Sequence, residues 1–318
     1  MKALRLHERG DLRLHDEPEP TPADGELLLR VTAVGLCGSD LHWFEDGSIG
    51  DAVLTRPLVL GHEFAATVAA GPRQGQRVAL DPANPCGRCA PCLAGDENLC
   101  LDVRFAGHGA VDGALRSLMT WPEQLAHPVP DSVSDDEAAL LEPLGVALHA
   151  LDLGHVRAGM RAGVYGCGPL GLLLVQVLRL AGAEVVASEP LAHRLAAAEA
   201  LGADTGAANV DVAFEVAGND EALAHAVDEL RPGGRLVVVG IPSNDRMCLT
   251  ASVIRRKGLT ISLARRMKAH DLARAVSLAA VGRVELGSLV TERHPLADFE
   301  DAFTGLTSRR GLKVVIAP

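Results

Sequence analysis

Two rhythms of apolar residues divide the chain. Up to about Ala147, short runs of Val, Leu and Ala, as in ELLLRVTAVGLCGSD and PLVLGHEFAATVAAG, are bounded by Gly, Pro and Asp. That pattern predicts strands joined by turns. From Ala162 the rhythm changes. RAGVYGCG reads as a strand into a glycine turn, PLGLLLVQVLRLAG as a helix, AEVVASE as a strand and LAHRLAAAEALGA as a helix, with VDVAFEVAG and RPGGRLVVVGIP as further strands. Alternating strands and helices on short connections imply a doubly wound α/β layer around a parallel sheet. Between the two regions, Ser134 precedes Asp135, Asp136 and Glu137, acidic residues suited to a helix N-terminus. After about Ala264 the periodicity weakens, and LKVVIAP predicts a terminal strand.

The turn after the first strand of the α/β region carries Gly166, Gly168 and Gly171, a G-x-G-x-x-G triplet enclosing Pro169 and Leu170. A chain with 33 glycines produces such triplets by chance, so the strand before and the helix after carry the weight. In that setting the first glycine permits the turn, the second admits a pyrophosphate and the third lets helix and strand pack. The helix N-terminus offers free N–H groups to the diphosphate. Glu189 closes the next predicted strand, where a carboxylate accepts hydrogen bonds from ribose hydroxyls and repels a 2′-phosphate. It favours NAD over NADP. The alternative is a surface glutamate at a strand end, and Arg194 nearby would attract a phosphate instead.

Cysteine usage adds metal chemistry. Cys86, Cys89, Cys92 and Cys100 have the spacing C-x2-C-x2-C-x7-C in a Gly/Pro-rich loop. Four thiolates so close in sequence suit one tetrahedral zinc, with an iron–sulfur cluster as the alternative. Nothing else in the chain indicates electron transfer. A four-cysteine site has no open position, so its role would be structural. A second, dispersed set comprises Cys37 in CGSDLH, His62 and Glu63 in GHE, and Glu142 in EPLG. One thiolate, one imidazole and one carboxylate would leave a fourth zinc position free for water or a substrate oxygen. Taken singly, each has a bland reading: a core cysteine, a satisfied histidine, a surface glutamate.

Charge and composition narrow the partners. A formal net charge of −11 disfavours nucleic acid and anionic membranes. The first twenty residues hold no apolar run of signal-peptide length, and the apolar stretch 170–181 is too short to span a bilayer. The expectation is a soluble cytoplasmic protein. Tyr165 is the only tyrosine, with Pro169 four positions on, which closes the Tyr-x-x-x-Lys route of metal-free short-chain dehydrogenases.

These strings, GLCGSDLHWFEDGSIG, PLVLGHE, the four-cysteine lobe, LEPLGVALHA and VYGCGPLG, resemble the zinc-containing medium-chain alcohol dehydrogenases, in particular their sorbitol (L-iditol) dehydrogenase branch. The resemblance implies a GroES-like, mostly-β catalytic domain over 1–146 with a zinc lobe at about 81–101. It also implies a Rossmann domain over 147–263 and a return to the catalytic domain over 264–318. Two zincs per chain are implied: a catalytic ion on Cys37, His62 and Glu63, and a structural ion on the four lobe cysteines. Ser39 and His42 would relay the alcohol proton, and Glu142 would bond the zinc water or exchange with a ligand. Trp43 would form a substrate wall. Leu170, Glu189, Arg194, Val239, Gly240 and Ile241 would touch the cofactor, and Arg265 both substrate and nicotinamide.

The substrate implied is a polyol or related sugar-like alcohol, and the assembly a homodimer or homotetramer. The runner-up readings are a threonine or 2,3-butanediol dehydrogenase and, outside enzymes, a zinc- and NAD-binding regulator. Two departures stand out. Between Ala203 and Asp211 the chain is short by about one strand and one helix, which predicts a Rossmann sheet trimmed at one edge. The usual Arg-Tyr pair reads Arg265-Arg266, a cationic pair that would suit an aldonate unless Arg266 faces solvent.

Overall fold

A computed structural model describes residues 1–206, 209–242 and 245–318. The chain separates into two compact units, Met1–Glu142 with Lys268–Pro318, and Pro143–Met267.

In the first unit, the strand Glu26–Gly35 is the hub of a seven-stranded sheet among the described residues. Its apolar side chains alternate with Glu26, Arg30 and Thr32, which gives it one buried face. Glu63–Val68 and Lys313–Ala317 flank it, both antiparallel. Gly35 therefore stands opposite Glu63 on one side and Val315 on the other. The apolar faces of this sheet and of Lys2–Glu8 bury Leu4, Leu6, Leu29, Phe64, Trp43 and Trp121 in one core. Ser134 caps the helix Asp135–Ala139 as its sequence predicts. The Ser134 hydroxyl accepts from Glu137 N–H at 3.3 Å, and the Glu137 carboxylate accepts from Ser134 N–H at 2.8 Å.

The second unit contains five parallel strands among the described residues, in the order Glu184–Ser188, Arg161–Tyr165, Val210–Glu215, Leu230–Val238, Thr260–Leu263. Against the usual doubly wound order 3-2-1-4-5-6, this is 2-1-4-5-6, with the third strand missing. The reason is chain length. Nine residues separate the helix Ala192–Ala200 from the strand Val210–Glu215, too few for a strand and a helix. A one-residue bridge from Asp204 to Val186 is what remains of the third strand. Positions 207 and 208 of this short segment lie outside the described residues. The face of the sheet opposite the glycine-loop helix is closed in part by Tyr165. Its ring folds over Gly163, where an added Cβ would meet it at 2.7 Å, and meets His225 edge-on at 5.2 Å. Among the described residues, no helix is long and apolar enough to cross a membrane.

Candidate metal centres and dinucleotide loop

The dispersed set converges. Cys37 follows the strand Glu26–Gly35 and starts the helix Gly38–Asp46, while Glu63 opens the neighbouring strand directly after His62. One ligand atom from each of Cys37, His62 and Glu63 lies within 4.8 Å of the others. His62 and Glu63 are buried, so the surface-charge reading of Glu63 fails.

Asp40, quoted above within GSD but given no role there, ties this set together. One of its oxygens accepts from Cys37 N–H at 2.9 Å and the other from Gly61 N–H at 3.1 Å. The latter oxygen also lies 3.7 Å from His62 Nδ1. Asp40 thus fixes both ligand-bearing segments and orients the imidazole from behind.

The field here is cation-seeking. Burial alone would depress His62, but Asp40 and Cys37 outweigh it and raise it well above the ordinary histidine value. A second missed residue, Lys313, is 2% exposed and forms an ion pair with Glu63. Burial works against its charge, yet Glu63, Cys37 and Asp40 raise it. The one signal in the sequence was a lone lysine opening the apolar run KVVIA.

Burial, and then the charges of Glu63 and Asp81, push the buried Glu142 carboxyl up to about 8. Ser39 Oγ lies 3.4 Å from His62 Nε2, and His42 Nδ1 lies 3.1 Å from the Asp46 carboxylate. Trp43 is buried in the core. It packs edge-on against His108 at 5.4 Å, and His108 in turn meets Phe105, whose ring is 5.6 Å from that of His62. Trp43 therefore backs the cluster through two other rings.

The four lobe cysteines also converge within 4.8 Å, and none of the chain's seven cysteines is in a disulfide. The Cys89 sulfur is 3.4 Å from that of Cys92 and 3.9 Å from that of Cys100. Zinc–sulfur bonds of about 2.3 Å in a tetrahedron imply sulfur separations of roughly 3.8 Å. Backbone N–H groups of Cys86 and Asp102 donate to Cys100 Sγ at 3.3 and 3.4 Å. Similar bonds from Leu101 and Cys92 hold Cys89 down at about 6. Thiolates stabilised in this way, with Leu93 and Leu101 left exposed, suit a metal in place of an apolar core. Both donor sets fit zinc.

In the second unit the three glycines fulfil their separate demands. Gly166 has φ +104°, and an added Cβ would lie 2.8 Å from Ala217 N. A Cβ on Gly171 would collide with the Gly166 carbonyl, whereas the approach to Gly168 is open apart from Arg194 at 3.6 Å. Gly168 precedes the helix Pro169–Leu180, with Pro169 and Leu170 in its half-buried first turn. The loop therefore fits a diphosphate. Glu189 accepts from Cys167 N–H at 2.7 Å and from Leu191 N–H at 3.0 Å, so its charge is fixed beside the loop. The Cys167 thiol is pushed up to about 12 by burial, then by Glu189, and is inert.

Val239 and Gly240 N–H groups both donate to the Glu215 carbonyl, at 2.8 and 3.0 Å, and Ile241 is half-exposed. The buried Glu215 carboxylate, a third missed residue, accepts from Gly218 N–H at 2.6 Å and pins the adjacent turn. Arg265 is exposed, and Arg266 is half-buried with φ +56°.

Comparison with known proteins gives these features a family. Residues 23–131 match the alcohol dehydrogenase GroES-like domain, and residues 204–280 the zinc-binding dehydrogenase model. The sorbitol dehydrogenase of Bacillus subtilis is 35% identical, covering 100% of this chain and 97% of the relative. The chain belongs to the zinc-containing medium-chain alcohol dehydrogenases. Like other members of that family it is a zinc-dependent oxidoreductase with a GroES-like and a Rossmann-like part, as the resemblance implied. The alignment runs over 346 positions against 318 residues here, so this dehydrogenase is shorter than its relative, in keeping with the missing strand.

Several solved structures align over the full chain, among them the following two. A Sinorhizobium meliloti protein described as a zinc-binding dehydrogenase, bound to NADP, aligns with TM-score 0.90 and 29% identity, covering 100% of this chain and 99% of that one. L-idonate 5-dehydrogenase of Escherichia coli aligns with TM-score 0.89 and 26% identity, covering 100% and 98%.

Proposed function

We propose that this dehydrogenase oxidises a secondary alcohol of a polyol or sugar-like substrate, passing the hydride to NAD, in the cytoplasm and as a homo-oligomer. In this reading 1–146 with 264–318 is the catalytic domain and 147–263 holds the cofactor. Cys37, His62 and Glu63 hold a catalytic zinc, and Cys86, Cys89, Cys92 and Cys100 a structural one. The observation that carries the reading is the buried convergence of Cys37, His62 and Glu63 beside the hydroxyl of Ser39.

Bound zinc supplies Lewis acidity, which takes a coordinated water from a pKa of about 15.7 to about 7 and acts likewise on an alcohol, while the dinucleotide supplies the hydride acceptor. The protein's own groups do the rest. Asp40 holds Cys37 and His62 in register. Ser39 takes the proton leaving the substrate hydroxyl as it gives up its own, which the ribose and His42, held by Asp46, pass to solvent. Glu142, with a carboxyl that keeps its proton close to neutral pH, donates a hydrogen bond to a substrate oxygen. Leu170, Val239, Gly240, Ile241 and Arg265 contact the dinucleotide.

The choice of NAD rests on Glu189, whose fixed carboxylate opposes a 2′-phosphate, with Arg194 pulling the other way. The choice of polyol rests on the sorbitol dehydrogenase relative. The Arg265-Arg266 pair, together with the idonate-oxidising neighbour, favours an aldonate as the second reading.

Steady-state assays on polyols, aldonates, diols and threonine, each with NAD and with NADP, test both readings. Highest kcat/KM on a polyol with NAD is expected. Best activity on threonine, or none on any alcohol, overturns the proposal. Ser39→Ala is expected to lower kcat by about a hundredfold.

A further inference from the structure

Among the buried charges that the mechanism above does not use, one stands beside the proposed metal ligands. Lys313 opens the strand Lys313–Ala317 with its ammonium in the same pocket as Cys37, Asp40 and Glu63. Its route there depends on Gly35. The central strand places Gly35 between Glu63 on one flank and Val315 on the other. Lys313, two residues before Val315, points to the same face. Because Gly35 has no side chain, Glu63 and Lys313 meet across the central strand. A Cβ at Gly35 would lie 2.6 Å from Glu63 Oε2 and 2.8 Å from Lys313 Cε. Gly35 has no positive φ, so this glycine is needed for space and not for backbone freedom.

A buried ion pair is a poor device for stability, since apolar residues of the same volume usually serve as well or better. Placing a lysine here, against its desolvation and beside a metal ligand, has another use. We infer that Lys313 is a positioning residue that occupies Oε2 of Glu63 and so withholds part of this carboxylate from the catalytic metal. The consequence is a metal held less tightly by the protein and more electron-poor toward the alcohol. An ammonium and a divalent cation on the same carboxylate compete for its charge, and like charges repel more strongly in a poorly solvated pocket than in water.

The inference rests on the metal assignment proposed above, and the experiment separates the two. Wild type, Lys313→Met, Lys313→Arg, Gly35→Ala and Cys37→Ala are purified with zinc. Zinc per chain, the rate of zinc loss to a chelator, and the visible spectrum after cobalt substitution are measured. Wild type is expected to hold two zincs and Cys37→Ala one. Lys313→Met is expected to release its catalytic zinc about tenfold more slowly than wild type, with displaced cobalt bands and a lower kcat. Lys313→Arg should return both metal readouts toward wild type. Gly35→Ala, which pushes the pair apart without touching either charge, should follow Lys313→Met and carries the test if that variant does not fold.

Zinc loss at or above the wild-type rate with unchanged cobalt bands, in both Lys313→Met and Gly35→Ala, overturns the role of Lys313 alone. Equal zinc content in wild type and Cys37→Ala overturns the metal assignment and this inference with it.

Discussion

The two cysteine-bearing centres are built on opposite plans. The lobe would draw all four ligands from the single stretch 86–100 and surrounds them with backbone N–H donors and exposed leucines. The proposed catalytic set gathers its ligands at the ends of two neighbouring strands and embeds them among side-chain charges, with Asp40 behind His62 and Lys313 behind Glu63. A closed site on local sequence has little to adjust once filled. A site assembled by strand register is open to residues far away in sequence, and in the reading proposed here Asp40 and Lys313 tune it alongside the ligands.

Three substitutions sharpen that contrast. Cys37→Ala should give the largest effect, lowering kcat/KM by at least about a thousandfold, because the Lewis acid that acidifies the alcohol is lost. Its circular dichroism should match wild type, since the lobe is untouched. Asp40→Asn keeps the shape but removes the anion behind His62. A fall in affinity for the catalytic zinc of about 10- to 100-fold is expected, read by chelator competition, with the lobe zinc retained. Cys92→Ser should have the smallest effect on chemistry. One zinc is lost and 86–101 becomes sensitive to protease, while kcat falls far less than in Cys37→Ala. A Cys92→Ser variant as inactive as Cys37→Ala would break the distinction between the two centres.

The same contrast explains what could be read from the sequence. The lobe was legible because its ligands, spacing and turn residues lie in one short string. The glycine loop was legible because Gly166, Gly168 and Gly171 each answer a local steric demand next to a strand and a helix. The trimmed sheet followed from the shortness of the segment between Ala203 and Asp211 against the family that the sequence resembles. Cys37, His62 and Glu63 were picked out by their residue types and their resemblance to a family, since nothing local brings them together. Asp40 and Lys313 escaped notice because their roles arise from register. Asp40 depends on the backbone of Gly61, and Lys313 on an empty place at Gly35. Glu215 was hidden at the end of its strand, directly after the apolar run Val212, Ala213 and Phe214.

The scarcity of aromatic rings has a practical side. Both tryptophans, Trp43 and Trp121, are sealed inside the unit that carries the two metal sets, and the single tyrosine, Tyr165, is sealed inside the other. Intrinsic fluorescence is thus sorted by unit without any label. A melt followed selectively in the indole and phenol signals reports the loosening of each half separately, and shows which of them a bound metal or dinucleotide protects.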